Sequence, residues 1–254
     1  MIFDTHAHYD DDAFDNDRDV LLSGMKEAGV EYIVNVGASM ASSERSVALA
    51  EKYPFIYAAV GVHPDEAGEL NDEKIEQLRK WANHEKVKAI GEIGLDYYWD
   101  KEQHNLQKHW FMRQMELANE CKLPMIVHSR EAAKDTLDMV IAAKPLELSG
   151  IIHCYSYSVE LAREYLNMGY YIGIGGVLTF KNAKKLKEVA EYVPLSQLVL
   201  ETDCPYLAPV PYRGKRNDSS KLSLVAEELA AIKQMPVEEV IRITKENGRK
   251  IYHI

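Results

Sequence analysis

Short apolar segments alternate with helix-like stretches along nearly the whole chain, and this alternation limits the folds open to it. The segments are rich in β-branched and aromatic residues, which favours strands, and most stretches between them repeat apolar residues at helical spacing. Strands that alternate with helices predict a parallel sheet with right-handed crossovers. Eight segments are present, beginning near Ile2, Tyr32, Ile56, Val87, Leu123, Gly150, Tyr170 and Gln197. They predict an α/β fold, a (β/α)8 TIM barrel, with an open doubly wound sheet as the alternative.

Residues 1–254 are predicted to form a single domain. This length suits one large barrel as well as two ordinary domains, but no repeat, low-complexity tract or linker marks a boundary. The proline-rich stretch DCPYLAPVPYRGKRNDSSK follows the eighth segment and predicts a long loop over the barrel mouth. Two closing helices are predicted from SLVAEELAAIKQ and PVEEVIRITKENGRKIY.

The composition limits where the protein is expected to be located and which partners it is expected to bind. No segment approaches the roughly 20 apolar residues of a membrane-spanning helix, and the N-terminus enters a strand-like segment without the pattern of a secretory signal. Three cysteines at irregular spacing argue against a disulfide framework, so a cytoplasmic location is predicted. A net charge of −10 provides no global attraction for nucleic acid, but it allows a few phosphates to bind at one local site. No membrane association and no obligate protein partner are inferred.

Side chains that bind metals occur at the ends of six of the apolar segments. In a parallel barrel, the carboxyl ends of all strands meet on one face, so these residues are expected to converge there. They are His6, His8, His63, Glu92, His128, His153 and Asp203. The pattern predicts a metal-dependent hydrolase whose active site lies at the C-terminal mouth of the barrel.

His6 and His8 lie two residues apart, so on a strand their imidazoles point to the same side and can share one metal ion. A pair of hydrogen-bonded core histidines is the alternative. Asp4 follows the same alternation one step deeper, where it could orient a histidine or bind buried backbone groups.

Glu92 lies between Gly91 and Gly94 in IGEIGLD, at the predicted end of a strand. A glutamate has two oxygens and can bridge two metal ions roughly 3.5–4 Å apart, and the alternative is a glutamate in a salt bridge. His128 and His153 would complete the second metal site. Each of these histidines taken alone is more typical of a hydrogen-bonded polar residue.

Asp203 follows the eighth segment, beside the first strand in a closed barrel. It is predicted to bind metal with His6 and His8 and to accept a proton from the attacking water, whereas a loop cap is the alternative. Glu201 is the rival carboxylate, predicted to lie deeper in a supporting role. His63 is predicted to contact the substrate, and its role as a ligand is left open.

The nitrogen and oxygen donors suit Zn²⁺, Mn²⁺, Mg²⁺ or Fe²⁺, and two ions per chain are expected. No glycine-rich phosphate loop or nucleotide-cofactor motif is present. Residues on the loops after the strands are predicted to bind substrate. Four of them are cations that could hold phosphates, namely Arg130, Arg213, Lys215 and Arg216. The fifth, Tyr97, could stack on bases.

Seven stretches that carry these residues resemble the TatD-related family of metal-dependent hydrolases, within the amidohydrolase-like barrel superfamily. The stretches are DTHAH, GVHP, IGEIGLDYYWD, LPMIVHSREA, HCYS, LETDCPYLAPVPYRGKRN and ENGRKIY, and they span nearly the whole chain in the family's order. The resemblance implies a (β/α)8 barrel, a divalent metal centre and phosphodiester hydrolysis, reported in the family as DNase activity. By motif position it implies the ligands His6, His8, Glu92, His128, His153 and Asp203.

Two stretches depart from the family pattern. Tyr157 replaces the glycine of the common HCFSG motif, and Asn217 leads into DSSK where the family commonly has EPAYV. Both changes are expected at the barrel mouth, so they bear on substrate preference and leave the implied ligands intact.

The leading hypothesis is a divalent-metal-dependent phosphodiesterase, an exonuclease-like DNase whose substrate is single-stranded DNA or strand ends. Glu92 would hold the ions and Asp203 would accept the proton. An ester or amide hydrolase, such as an aminoacyl-tRNA deacylase, is the second hypothesis, because the same chemistry attacks a carbonyl carbon. A non-catalytic metal- or nucleic-acid-binding protein is the third.

Overall fold

The eight strands form one parallel sheet in which each strand pairs with its neighbours in chain order. The structure is a computed structural model, and it describes residues 1–99, 102–146 and 148–254. The strands are β1 (Ile2–Ala7), β2 (Val30–Val36), β3 (Ile56–Val60), β4 (Val87–Asp96), β5 (Met125–Arg130), β6 (Gly150–Ile152), β7 (Tyr171–Ile174) and β8 (Leu198–Leu200). Every strand begins within two residues of its predicted position.

Helices connect the strands and close the chain. They are α1 (Arg18–Ser23), α2 (Met40–Lys52), α3 (Asp72–Ala82), α4 (His104–Cys121), α5 (Ala133–Ala142), α6 (Val159–Asn167), α7 (Lys184–Tyr192), α8 (Leu222–Lys233) and α9 (Val237–Tyr252). The last two are the helices predicted after the proline-rich loop. Several begin at a side-chain cap, for example Asn71, whose side chain accepts a hydrogen bond from the amide of Lys74 at α3.

The sheet curves until β8 lies beside β1. A parallel bridge joins Ala7 to Cys204. The amide of Asp203 donates to the carbonyl of His6 at 3.0 Å, and the Thr5 hydroxyl donates to the carbonyl of Leu200 at 2.9 Å. These contacts confirm the TIM barrel over the open doubly wound sheet.

Alternate strand residues belong to two hydrophobic clusters, one packed between strands and helices and the other inside the barrel. Ile126 and Ile151 belong to the inner cluster. His128 and His153 each follow one of them by two residues, so on a strand they point to the same inner face of the barrel, at its mouth. Packing of Ile126 and Ile151 in the core therefore sets the direction in which these histidines point.

No helix in the described parts of the chain is both long enough and apolar enough to cross a lipid bilayer.

Candidate metal centre

A cavity of about 710 Å³ opens at the carboxyl ends of the strands. Six of the residues predicted at the strand ends line it, namely His8, His63, Glu92, His128, His153 and Asp203. The seventh, His6, is buried beneath the cavity beside His8, with its ring stacked on that of His153 at 3.7 Å between centroids. The structure therefore brings all seven residues together.

One oxygen of the Glu92 carboxylate faces β1 and β8. Glu92 Oε2 lies 3.4 Å from His6 Nε2 and 3.6 Å from His8 Nε2. Asp203 Oδ1 lies 3.7 Å and 3.4 Å from the same two nitrogens, which are 3.0 Å apart. Two oxygens and two nitrogens from three strands thus converge on one point.

These separations can be compared with those around a metal ion. Ligand atoms at 2.0–2.2 Å from a tetrahedral ion lie about 3.4 Å from one another. The separations given above, 3.0–3.7 Å, lie around this value, so the residues fit a divalent cation.

The other oxygen of Glu92 faces β5 and β6. Glu92 Oε1 lies 2.8 Å from His128 Nδ1 and 3.2 Å from His153 Nε2. His63 Nε2 is more distant, at 3.9 Å. The two oxygens of one carboxylate therefore face two separate sets of donors, which is the geometry of a carboxylate that bridges two ions.

The second nitrogens of three of these histidines face partners outside the cluster. His8 Nδ1 is 2.8 Å from the carbonyl of Val36, His128 Nε2 is 3.0 Å from Asp96 Oδ2, and His153 Nδ1 is 3.2 Å from Glu201 Oε1. Histidines that bind metals commonly have such a partner, which fixes the ring and leaves the other nitrogen free for the ion. The contacts of His8 and His128 are hydrogen bonds, whereas His153 Nδ1 lies near Glu201 without the geometry of one. A supporting role for Glu201 stays a prediction.

His63 is held differently. Its Nδ1 accepts a hydrogen bond from the amide of Asp65 at 3.2 Å, so in the neutral ring the proton is assigned to Nε2. Burial and the neighbouring His128 lower the pKa of His63 to about 3, so the ring is neutral at physiological pH. His63 therefore directs an N–H donor into the cavity, rather than a lone pair.

The carboxylates and histidines of the cluster perturb one another's pKa values. Burial raises the pKa of Glu92, but the surrounding histidines outweigh burial and hold it well below its ordinary value. Burial lowers the pKa of His8 and of His128, but hydrogen bonds to carboxylates raise both to about 9. Ionised carboxylates buried here require nearby positive charge, which a divalent cation also provides.

The strand that carries Glu92 is longer than predicted. β4 continues to Asp96, four residues beyond Glu92, and its register against β5 shifts between Ile90 and Ile93. Gly94 has a φ of +148°, and a Cβ there would lie 1.9 Å from the carbonyl oxygen of His128. Gly94 therefore lets β4 approach His128 where any side chain would clash.

The cations and the aromatic residue predicted to bind substrate lie in different places. Arg130 lines the cavity as the last residue of β5, with its guanidinium 3.9 Å from the ring centroid of Tyr98 and 5.5 Å from that of Trp99. Tyr97 instead donates its hydroxyl to Asp135 at 2.7 Å and does not line the cavity.

The three cations after β8 also lie outside the cavity lining. Arg213 packs 4.4 Å from the ring centroid of Phe180, and Arg216 pairs with Asp17. Lys215 is exposed. A role for these three residues in substrate binding stays a prediction.

Sequence reasoning missed several residues of the cavity wall. Asp96, Arg45, Tyr206 and Asp10 all line it. Asp96 had a signal, because it follows Glu92 by four residues and lies on the same face if the strand continues past Gly94. Arg45 had none, since it lies on α2, in the first helical turns after a strand whose end carries no metal-binding residue.

The first departure from the family pattern also lies outside the cavity lining. The Tyr157 hydroxyl is 3.0 Å from Ser129 Oγ and accepts from the amide of Ala132 at 3.3 Å. Tyr157 thus connects the end of β5 to the start of α5, behind the wall of the cavity.

Comparison with known proteins gives similarity over the full length of the chain. A family model described as TatD related DNase matches residues 3–253. The uncharacterized metal-dependent hydrolase YabD of Bacillus subtilis is 43% identical, with 100% of both chains covered. The uncharacterized metal-dependent hydrolase YcfH of Escherichia coli is 35% identical, with 100% of this chain and 96% of the relative covered.

A solved structure is also similar to this chain over its full length. The crystal structure of YjjV, a TatD homolog of Escherichia coli, superposes with a TM-score of 0.94 at 30% identity, covering 100% of this chain and 98% of that one. The similarity includes the strands and loops that form the cavity.

Proposed function

Since this chain belongs to the TatD-related DNase family and is a metal-dependent hydrolase, we propose that it cleaves phosphodiester bonds of DNA. In this proposal it acts as an exonuclease-like enzyme on single strands or strand ends. Residues 1–254 form the hydrolase domain, and nucleic acid is the substrate rather than a permanent partner.

The observation that carries the proposal is the position of Glu92. Its Oε2 lies within 3.4–3.6 Å of His6 and His8, and its Oε1 within 2.8–3.2 Å of His128 and His153. We assign one ion to His6, His8, Glu92 and Asp203, and a second to Glu92, His128 and His153. Zn²⁺, Mn²⁺ and Mg²⁺ are the candidate ions. Bound divalent cations polarise a phosphoryl oxygen and acidify a water molecule.

Asp203 is proposed to accept the proton of the attacking water. Burial raises the pKa of Asp203, but the hydrogen bond from His8 and the charge of the histidines lower it below its ordinary value, so the carboxylate is ionised. The side chain of Asp203 also lines the cavity, where a water and a phosphate can reach it.

His63 and Arg130 are proposed to orient the phosphate. His63 presents Nε2–H to the cavity, where it can donate to a phosphoryl oxygen whose negative charge increases in the transition state. Arg130 is held against Tyr98 and provides a fixed positive charge on the cavity wall.

The charges around the cavity favour a strand end over an internal site in duplex DNA. Among the lining residues, Arg45 and Arg130 carry the positively charged side chains, whereas five carboxylates line the cavity in addition to Glu92, Asp96 and Asp203. These five are Asp10, Asp11, Asp12, Asp65 and Glu66. A protein that grips duplex DNA generally offers a track of cations to successive phosphates. A wall with two arginines is suited to one or two phosphates near a free end.

The test is cleavage of end-labelled single-stranded DNA by metal-stripped protein restored with Mg²⁺, Mn²⁺ or Zn²⁺. Wild-type protein is expected to shorten the strand stepwise only when a metal ion is added. Glu92→Gln and Asp203→Asn are each expected to lower the rate at least 10²-fold, since each removes a ligand charge or the proton acceptor.

Asp135→Asn is the matched control, because this carboxylate lies on α5 and does not line the cavity. Full activity of Glu92→Gln would contradict the assignment of Glu92. Absence of cleavage with every ion would move the proposal to ester or amide substrates, of which an aminoacyl-tRNA is the first to test.

A further inference from the structure

Asp96 is a buried carboxylate at the end of β4 that has no part in the function proposed above. Its exposed fraction is 1%. Its two oxygens bind different partners, His128 on one side and the turn after β4 on the other. Burial raises the pKa of Asp96, but the hydrogen bonds from these partners hold it below its ordinary value, so the side chain is a carboxylate.

One oxygen of Asp96 binds His128. Asp96 Oδ2 lies 3.0 Å from His128 Nε2, while His128 Nδ1 faces Glu92 Oε1 at 2.8 Å. A carboxylate at Nε2 favours the ring form that carries a proton on that nitrogen. When the ring is neutral, the Nδ1 lone pair is then left for the ion assigned to Glu92, His128 and His153, as a metal ligand requires.

The other oxygen of Asp96 binds the turn that follows β4. Asp96 Oδ1 accepts hydrogen bonds from the amide of Tyr98 at 2.8 Å and from the amide of Trp99 at 3.2 Å. Tyr98 is the ring against which the guanidinium of Arg130 packs, and Trp99 lines the cavity. Asp96 therefore also holds the part of the rim that fixes Arg130.

The backbone of Asp96 is anchored separately from its side chain. Its amide donates to Gln107 Oε1 at 3.0 Å, and its carbonyl accepts from Gln107 Nε2 at 2.9 Å. Gln107 lies on α4 and is itself buried. Substitution of the Asp96 side chain is therefore expected to leave the end of β4 in place.

We propose that Asp96 is a positioning residue that orients His128 with one oxygen and the Tyr98–Trp99 turn with the other. It would thereby fix the position of the phosphate-binding rim relative to the metal centre. This inference rests on the proposed function, because it takes His128 as a metal ligand.

Two substitutions separate the two contacts. In Asp96→Asn, the amide oxygen can still accept from the Tyr98 and Trp99 amides, but the NH₂ group faces His128 and favours the wrong ring form. In Asp96→Ala, both contacts are lost. Asp135→Asn is the matched control, because Asp135 binds the hydroxyl of Tyr97 in the same turn and makes no contact with His128.

Two measurements on metal-stripped protein test the proposal without reference to activity. Calorimetric titration with Mn²⁺ alone measures metal affinity, and NMR hydrogen exchange measures protection of the Tyr98 and Trp99 amides. Asp96→Asn is expected to weaken Mn²⁺ binding at one site 10- to 100-fold, with the two amides still protected. Asp96→Ala is expected to show the same loss of affinity and at least 10-fold faster exchange of both amides. Asp135→Asn should match wild-type affinity.

Wild-type Mn²⁺ affinity in Asp96→Asn would overturn the orientation of His128 by Asp96 while leaving the proposed function standing. Unchanged protection of both amides in Asp96→Ala would overturn the role in the turn. An equal loss of affinity in Asp135→Asn would show that the effect is not specific to Asp96 and would also overturn the proposal. If wild-type protein binds none of Mn²⁺, Zn²⁺ and Mg²⁺ in the same titration, the proposed function and this inference both fall.

Discussion

At the scale of single residues, the chemistry of the cluster depends on which nitrogen of each histidine carries the proton. The carbonyl of Val36 fixes His8 through Nδ1, and Asp96 fixes His128 through Nε2. His63 is the exception among them, because its Nδ1 accepts from a backbone amide and its Nε2 must donate. We therefore propose different roles for histidines that look alike in the sequence, as lone-pair donors towards an ion or as a hydrogen-bond donor towards substrate.

A substitution of His63 separates these two roles. Asparagine at this position can keep the hydrogen bond to the amide of Asp65 through its own oxygen, but it has no donor at the place of Nε2. His63→Asn is expected to lower kcat about 10²-fold, the usual loss when one transition-state donor is removed. Its Mn²⁺ affinity, measured by calorimetry, should equal that of wild type. A parallel loss of kcat and Mn²⁺ affinity would instead make His63 a ligand.

The sequence indicated these functional residues only in part. The histidines and Asp203 were predictable because the end of each apolar segment marks a place at the barrel mouth. Asp96 was not, because Gly91 and Gly94 resemble a turn in sequence, whereas Gly94 permits a continuing strand against His128. The positions of Arg213 and Arg216 depend on tertiary packing against Phe180 and beside Asp17. No periodicity in the sequence encodes that packing.

At the scale of elements, the contact between β1 and β8 completes the first half of the metal centre. His6 and His8 come from the start of the chain and Asp203 from near its end. Asp4 joins these parts, because Asp4 Oδ2 accepts from the hydroxyls of Thr202 and Ser219, each at 2.6 Å. Asp4 also accepts from the backbone amides of Thr202 and His6. It therefore binds buried backbone, the second of its two predicted roles, and does not contact a histidine ring.

Removal of the Asp4 side chain should weaken this closure. Asp4→Ala leaves buried hydroxyl and amide donors without their acceptor, which is expected to lower the free energy of unfolding by roughly 3 kcal/mol. In Asp4→Asn, the amide oxygen can still accept from the backbone amides of His6 and Thr202, and the hydroxyls of Thr202 and Ser219 can rotate to accept from the NH₂ group. Asp4→Asn is the control and should lose less than half as much in urea denaturation. Equal losses in the two variants would show that the acceptors of Asp4 do not matter.

The order and starting points of the strands were predictable from the sequence, whereas their lengths were not. Apolar segments bounded by polar residues mark where a strand begins. The end of a strand depends on how far its neighbours continue to pair with it. β4 extends to Asp96 because β5 extends to Arg130, and the two residues are paired in register.

Over the whole molecule, the net charge of −10 and the carboxylates that line the cavity are opposed to the charge of the proposed DNA substrate. Positive charge is provided locally, because Arg45 and Arg130 line the same cavity as the candidate metal centre. Such a protein depends on bound metal for much of its attraction to phosphate. The fold contributes by bringing residues from five other strand ends to the carboxylate of Glu92.

The proposal that Glu92 bridges two divalent ions can be tested by anomalous diffraction from crystals grown with Mn²⁺. Two anomalous peaks roughly 3.5–4 Å apart are expected, one on each side of the Glu92 carboxylate. One peak should contact His6, His8 and Asp203, and the other should contact His128 and His153. Peaks that do not contact Glu92, or a single ion bound by all of these residues, would contradict it.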